Sequence, residues 1–299
     1  MLHTEIQTPH GPHTATALNL SDNGPALHFY HANGFGPECY MPFLSHLTPH
    51  YAVSALKMRP LWPTQPMPVA RKGWRQYGDD LIAWLDHQNL GPILAVGHSM
   101  GAIATAYAAN ARPDLFRALV LIEPAGAKRM NAALLHSLPY RYRHRIKVVD
   151  NALRRHTTWS DPEHAFSHMR QDPVYKRFDD AQLRHLVTET TTPHESGLVL
   201  EYPRHWENHN YLTAPYSLPA LTRLSVPTHI IMAKPSFFSA PETTAKLKAK
   251  RPDIEITHMP THGHLLPLEA PDAAAKATLE AVTQLANSTA DPAKGLAKA

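Results

Sequence analysis

The chain has 299 residues, 43% hydrophobic and 18% charged, the balance of a globular protein large enough for one domain or for a core with an insertion. A single cysteine excludes an internal disulfide framework and fits a reducing compartment, so a cytoplasmic protein is expected. A net charge of +4 beside 22 histidines is only mildly basic and is no nucleic-acid signature.

The first residues, Met1-Leu2-His3-Thr4-Glu5, have no basic segment followed by an apolar one, so no signal peptide is expected. No apolar run approaches the roughly 20 residues of a membrane span, so no stable membrane insertion is expected. Thr14 to Leu20 is a candidate strand, and Ser21-Asp22-Asn23-Gly24-Pro25 a turn. Ala26 to Tyr30 reads as a strand that runs into His31-Ala32-Asn33-Gly34-Phe35-Gly36-Pro37. Tyr40 to Leu47 has helical spacing, Tyr51 to Leu56 reads as a strand, and Arg59 to Pro68 as a Pro-rich loop. Tyr77 to Gln88 carries Leu81, Ile82, Trp84 and Leu85 at helical spacing.

Gly91 to Val96 is a short apolar run, the pattern of a buried strand, and Ala102 to Ala109 is an Ala-rich helix. Between them stands Gly97-His98-Ser99-Met100-Gly101. A G-x-S-x-G between strand and helix is the pattern of a nucleophile elbow, in which a tight turn exposes the serine hydroxyl. The bland reading is a chance Gly-Ser turn; the strand–helix setting favours Ser99 as nucleophile. Arg117 to Ile122 is the next strand and ends in Glu123-Pro124-Ala125-Gly126. Strands and helices thus alternate from Ala26 to Gly126, which predicts a mostly parallel α/β sheet with helices on both faces. Sites in such sheets form beyond the carboxyl ends of the strands, so Phe35, Ser99 and Glu123 are expected on one rim.

From 127 to 214 the strand-like runs stop, and helix starts appear at Ser160-Asp161-Pro162-Glu163 and at Asp179 to Leu183. This segment reads as a helical cap over the rim. Strands resume at Val226 to Met232 and Ile254 to Met259, a helix follows from Pro271 to Leu285, and 287–299 read as a flexible tail. The expected division is therefore a core of 1–126 and 215–286, a cap of 127–214, and the tail. The basic stretch Arg141 to Lys147 reads as a solvated helix face, and the histidines form no H-E-x-x-H or Cys/His cluster, so neither nucleic acid nor a metal is expected. Tyr140, Trp159, Phe166, Tyr175 and Phe178 are read mainly as helix-packing aromatics, and Cys39 as packing.

A serine hydroxyl needs a base, and the base an acid that holds its tautomer. The base candidate is His264, in the loop Pro260-Thr261-His262-Gly263-His264-Leu265 after the last strand, with His262 as its rival. For the acid, the loop after the next-to-last strand, Ala233-Lys234-Pro235-Ser236-Phe237-Phe238-Ser239-Ala240-Pro241, holds no carboxylate; Ser236 stands where an Asp is looked for. Glu123, after the strand that follows the elbow, is the candidate, and Glu242 the alternative. The order Ser99, Glu123, His264 is that of this constellation on α/β sheets. The backbone N–H groups of Met100 and Phe35 are the expected oxyanion donors, with Gly34 allowing close approach. A serine at the elbow favours carbonyl attack through an acyl-enzyme, and sets aside dehalogenation and epoxide hydrolysis, which use Asp there.

The elbow GHSMG, the loop HANGFGP and the run HGHLLPLEAP, in this order, resemble the α/β-hydrolase fold superfamily over nearly the whole chain. More narrowly, the chain is similar to bacterial serine α/β-hydrolases with an H-A-N-G-F-P loop, an Arg-Pro-Leu-Trp segment (here Arg59 to Trp62) and an H-L-F-P-L-E segment (here His264 to Glu269). Gly36 replaces Pro, His262 replaces Gly, and Glu123-Pro124 stands where the family commonly has Asp-Pro. The resemblance implies the α/β-hydrolase fold and hydrolysis of esters or related carbonyl compounds; a cofactor-free, carboxylesterase-like enzyme acting on a small or medium acyl substrate, as monomer or homodimer, is expected. Substrate choice is expected in the cap and around Phe35, Trp62 and Met100, with Asn33 and Trp62 as substrate-binding candidates. A C–C bond hydrolase, an acyltransferase and a non-catalytic binding protein remain the alternatives.

Overall fold

A computed structural model describes residues 1–64, 66–69, 72–145, 155–234 and 241–290. Its main sheet has eight strands: β1 (Leu2–Thr8), β2 (Gly11–Asn19), β3 (Ala26–Tyr30), β4 (Ala52–Leu56), β5 (Ile93–His98), β6 (Phe116–Ile122) and, after three short strands named below, β10 (Thr228–Ala233) and β11 (Glu255–Met259). The spatial order is β1-β2-β4-β3-β5-β6-β10-β11. β2 runs antiparallel to both neighbours, and every pair from β4 to β11 is parallel.

The central parallel strands β3, β5, β6 and β10 are largely buried on both faces, which is why they read as apolar runs rather than as alternation, whereas β11 at the edge is half exposed. One face packs Leu56, Ile93, Ala95, Leu119, Leu121 and Ile230 under α2 (Arg75–His87) and α3 (Met100–Ala111). The other packs Val53, Ala55, Leu94, Val96, Val120 and Ile231 against α1 (Met41–Leu44), a single turn within the expected helix, and against the last helices, including Ala274, Ala277 and Ala281. Each such Val, Leu or Ile contributes roughly 1.5–3 kcal/mol of burial. The alanines of α3 serve close approach: Ala102, Ala104, Ala106, Ala108 and Ala109 are all fully buried. A side chain at Gly78 of α2 would lie 3.0 Å from the Ala104 carbonyl oxygen.

Two parts of the sheet differ from the expectation. β1 does not appear in the reading of the first 20 residues. Of its side chains only Ile6 is fully buried among mostly exposed polar neighbours, so apolar periodicity is almost absent and pairing with β2 builds the strand. The segment 127–214 is not purely helical. Besides α4 (Arg129–Ser137), α5 (Pro162–Arg170), α6 (Asp180–Thr190) and α7 (Arg204–Leu212), it forms an antiparallel sheet of β7 (Thr158–Trp159), β8 (Thr191–His194) and β9 (Gly197–Leu200). These strands have two to four residues, too short for a periodic signal. Trp159, Tyr175 and Phe178 are buried here against the side of the main core that carries Phe35 and Leu266.

After the insertion come α8 (Leu218–Thr222), α9 (Pro241–Lys250), α10 (Leu266–Glu269) and α11 (Pro271–Ala290). The last helix extends past Asn287 into the expected tail, whose residues 291–299 lie outside the described part. So do Ser236 and its neighbours in 235–240, and Ile146 and Lys147 of the basic stretch. Within that stretch, Arg143 is partly buried and donates to the Leu138 and Leu212 carbonyls, so it is not merely solvated. No helix among the described residues is long and apolar enough to cross a membrane.

Candidate active site

Ser99 follows β5 as the last residue before α3, with φ 55° and ψ −115°. This left-handed backbone costs a β-carbon-bearing residue about 1–3 kcal/mol, and persists only where the surroundings over-determine it. The surroundings here are close. The Ser99 N–H donates to the Ile122 carbonyl of β6 at 3.0 Å. A methyl at Gly97 would sit 2.7 Å from Ala102 Cα, and one at Gly101 would sit 2.2 Å from the Tyr30 carbonyl oxygen. Both glycines are required by contact, since the turn is pressed between its own helix and the end of β3.

Ser99 Oγ lies 2.9 Å from His264 Nε2, and His264 Nδ1 lies 2.9 Å from Glu123 Oε2. The carboxylate only accepts, so Nδ1 carries the proton and Nε2 is left to accept from the serine hydroxyl. Glu123 is fully buried and also stands on left-handed backbone, φ 48°. Its N–H donates to the Ile231 carbonyl at 2.8 Å, and its Oε1 accepts the Ala233 N–H at 2.5 Å. Strand order explains the geometry. β6 lies between β5 and β10, and the loop after β11 reaches back over β10 toward it. The rivals lie elsewhere: Glu242 is exposed in the first turn of α9, and His262 Nδ1 pairs with its neighbour Thr261 Oγ1 at 3.1 Å.

Several bonds hold the loop of His264. The Glu269 carboxylate accepts the Gly263 N–H, the His262 carbonyl accepts from the Lys234 N–H at 3.0 Å, and the Thr261 carbonyl accepts from Arg177 Nη1 at 2.7 Å. A fourth comes from His98, whose Nε2 lies 2.8 Å from the His264 carbonyl oxygen.

The turn after β3 is held just as closely. The Met58 N–H donates to His31 Nε2 at 2.9 Å, so His31 Nδ1 carries the proton and donates to the Ala32 carbonyl at 2.8 Å. Burial lowers the pKa of His31 to about 4, which keeps it neutral for this role. Phe35 and Met100 are buried on the segments that follow the adjacent strands β3 and β5, where Tyr30 pairs with Gly97. Gly34 has φ 86°, and a methyl there would lie 3.2 Å from Glu207 Oε1.

Two of the expected substrate-binding residues are otherwise committed. Asn33 Oδ1 accepts from the Tyr202 hydroxyl at 3.0 Å and from Asn210 Nδ2 at 2.8 Å, while its Nδ2 donates to the Glu207 carbonyl at 3.3 Å. Its whole amide therefore ties the turn to the insertion. Trp62 is buried in the core: its indole N–H donates to the Lys57 carbonyl at 2.7 Å, and its ring lies against Arg59 and His13. The Arg-Pro-Leu-Trp segment is thus a structural clamp, in which Arg59 pairs with buried Asp80 through Nε at 2.6 Å and Nη2 at 2.5 Å. Cys39 is buried, and burial pushes its thiol pKa up, which removes it as a nucleophile. Among the described residues no group of three or more His, Cys, Asp or Glu is arranged to hold a metal ion.

The sequence reading missed His98, Tyr40, Tyr202, Asn210 and Glu269 as parts of this architecture. For Glu269 a signal existed, its place at the end of the HLLPLE run; the others became visible only through contacts distant in sequence.

The model of the alpha/beta hydrolase family matches residues 28–277. Over 47 residues the chain is 51% identical to Lipase LipV of Mycobacterium tuberculosis, covering 16% of this chain and 18% of that protein. Over 126 residues it is 30% identical to the (E)-2-((N-methylformamido)methylene)succinate hydrolase of Acinetobacter baylyi, covering 39% of this chain and 47% of that one. The chain thus spans from about a fifth to about a half of the length of the curated relatives it matches. The solved structure of an E-2-(acetamidomethylene)succinate hydrolase is similar in fold, with a TM-score of 0.76 at 19% identity, covering 94% of this chain and 99% of that one. With a family model that spans both halves of the sheet and all three residues of the Ser99–His264–Glu123 array, the chain belongs to the alpha/beta hydrolase family.

Proposed function

We propose that this chain is a cofactor-free cytoplasmic serine hydrolase that cleaves a small or medium carboxylic ester through an acyl-enzyme, as a monomer or homodimer. The observation that carries the reading is the unbroken sequence of 2.9 Å contacts from Ser99 Oγ through His264 to Glu123. In it Ser99 Oγ attacks the carbonyl carbon as its proton passes to His264 Nε2, and Glu123 stabilises the imidazolium that forms. The N–H groups of Phe35 and Met100 receive the oxyanion. Collapse of the tetrahedral intermediate returns the proton from Nε2 to the leaving alcohol, and water repeats the cycle on the acyl-enzyme. Residues 127–214 act as the cap that selects the acyl group.

The matched stretch of a lipase supports ester cleavage, and the match to a succinate-derivative hydrolase makes carboxylated acyl compounds the second class to try. A panel of esters varied in acyl and alcohol size is the test, with diketones and alcohol acceptors added to detect C–C cleavage and acyl transfer. Turnover by the wild type, with loss of at least about a thousandfold in Ser99→Ala, is expected. Equal turnover by Ser99→Ala would remove the mechanism. A wild type that neither turns over the panel nor is labelled at Ser99 by a fluorophosphonate would favour a binding protein.

A further inference from the structure

His98, the residue before Ser99, lies beside this array without belonging to it. It is fully buried, and both ring nitrogens are engaged. At one end Nε2 faces the His264 carbonyl at 2.8 Å; a carbonyl only accepts, so Nε2 carries the proton. Nδ1 is then an acceptor, and the Tyr40 hydroxyl 2.8 Å away donates to it. The same hydroxyl oxygen accepts the Ala32 N–H at 3.2 Å. Each proton position follows from the one acceptor-only group at the end. The bonds run one way, from the Ala32 N–H through Tyr40 and His98 to the backbone of His264.

We propose that His98, with Tyr40, is a positioning residue: their hydrogen-bond chain locks the turn carrying the Phe35 oxyanion donor to the loop carrying His264, with Ser99 between them. This rests on the serine-hydrolase reading above. Ala32 stands three residues before Phe35, and His98 adjoins Ser99. The chain therefore sets the distance between oxyanion donors, nucleophile and base, three groups on separate loops. A rigid link matters because misplacement by about 1 Å costs on the order of a hundredfold in rate.

Electrostatics agree with the geometry. The His98 ring centroid lies 5.6 Å from that of His264, so a charge on His98 would oppose imidazolium formation during attack. Burial, with the nearby His264, lowers the pKa of His98 to about 3, so the ring is neutral throughout the working range. A neutral, doubly bonded imidazole gives a directional tether without a competing charge. Phenylalanine would keep the ring volume and lose both bonds. Glutamine places its amide N–H near the position of Nε2 and keeps the bond to His264.

The test is steady-state kinetics on the best ester, together with fluorophosphonate labelling of Ser99 and thermal melts, for His98→Phe, His98→Gln, Tyr40→Phe and the double variant Tyr40→Phe/His98→Phe. Expected are a fall in kcat of about 10–100-fold in His98→Phe with KM within about twofold, and proportionally slower labelling. His98→Gln should recover most of that loss, and Tyr40→Phe should lose about tenfold. Residues acting in one chain are not additive, so the double variant should be little slower than His98→Phe alone.

Wild-type kcat in folded His98→Phe, or a glutamine variant no faster than it, would overturn the proposal. If His98→Phe does not fold, Tyr40→Phe decides: an unchanged kcat overturns, and a loss confined to kcat supports. Failure of the underlying reading has a different signature, an inactive and unlabelled wild type.

Discussion

The backbone N–H of Ala233 donates to Oε1 of Glu123 across 2.5 Å, while Oε2 of the same carboxylate accepts from His264. Ala233 ends β10, the strand after which an acid is looked for and where none is present. The strand end thus contributes a backbone donor, and the carboxylate comes from β6 beside it. A buried carboxylate without such partners would carry a desolvation penalty of several kcal/mol. With the Ala233 N–H on one oxygen and the imidazole N–H on the other, both oxygens are satisfied and the carboxylate is aimed at His264. The left-handed backbone at Glu123 helps turn the chain out of β6, while its N–H still pairs with Ile231.

Removing the charge should therefore cost activity far more than fold. Glu123→Gln is expected to lower kcat by about 10²–10⁴-fold, because an amide in its place favours the wrong tautomer of His264. Glu242→Gln, on the exposed start of α9, should leave kcat within about twofold. Parallel kinetics and circular dichroism on both variants check this. A large loss in the Glu242 variant with a near-normal Glu123 variant would reverse the assignment.

Asn33 joins the turn after β3 to the insertion through Tyr202, Asn210 and the Glu207 carbonyl. Asn210 is fully buried and also accepts from the Tyr77 hydroxyl at 2.7 Å, so the network reaches α2. Asn33→Ala strands buried donors on two partners, a penalty of about 1–3 kcal/mol each. A fall in Tm of several degrees, with a raised KM as the insertion loosens, is the expected outcome. An unchanged melt and unchanged KM would show that Asn33 does not tie the insertion down.

Acid should destabilise the fold through buried histidines. Burial lowers the pKa to about 3 in His28, about 4 in His31 and about 3 in His98, against about 6.5 in an unfolded chain. Above pH 6.5 each is neutral in both states and has no effect. As pH falls below 6.5 the unfolded chain takes up protons that the folded one refuses, so stability drops. The upper limit is about 1.4 kcal/mol per histidine per pH unit, and the loss continues toward the folded pKa values. Denaturant midpoints at pH 7, 6 and 5 should fall steadily; a flat series would mean that the rings are protonated in the folded protein.

Much of this protein was readable from contiguous residues. β5, the GHSMG elbow and the Ala-rich α3 lie within about 20 positions, and each signal is local: an apolar run, two glycines flanking a serine, and a run of small helix-forming side chains. β3, β6 and β10 were legible for the same reason, since strands buried on both faces need apolar residues at nearly every position. β1 and the small sheet β7-β9-β8 were not, because one apolar anchor or a two- to four-residue strand carries too little period; backbone pairing builds them.

The sequence by itself determined the fold class and proposed Ser99 and His264, through motifs whose chemistry is contained in a few adjacent residues. It reached Glu123 less directly, from the lack of a carboxylate after the next-to-last strand, the chain order Ser99, Glu123, His264, and the place of Glu123-Pro124 in the resemblance. Tertiary structure decided the rest. Glu123 takes its orientation from Ala233, 110 positions away, and His98 finds Tyr40 at a separation of 58. Asn33 meets Asn210 at a separation of 177, a tether that no local pattern announces. Trp62, read as a substrate contact, became a core residue because Lys57, Arg59 and His13 surround it. Local pattern records which face of an element is apolar. It carries no record of which distant donor a buried acceptor will meet, and hydrogen-bond partners of that kind exist only once the sheet has brought its strand ends together.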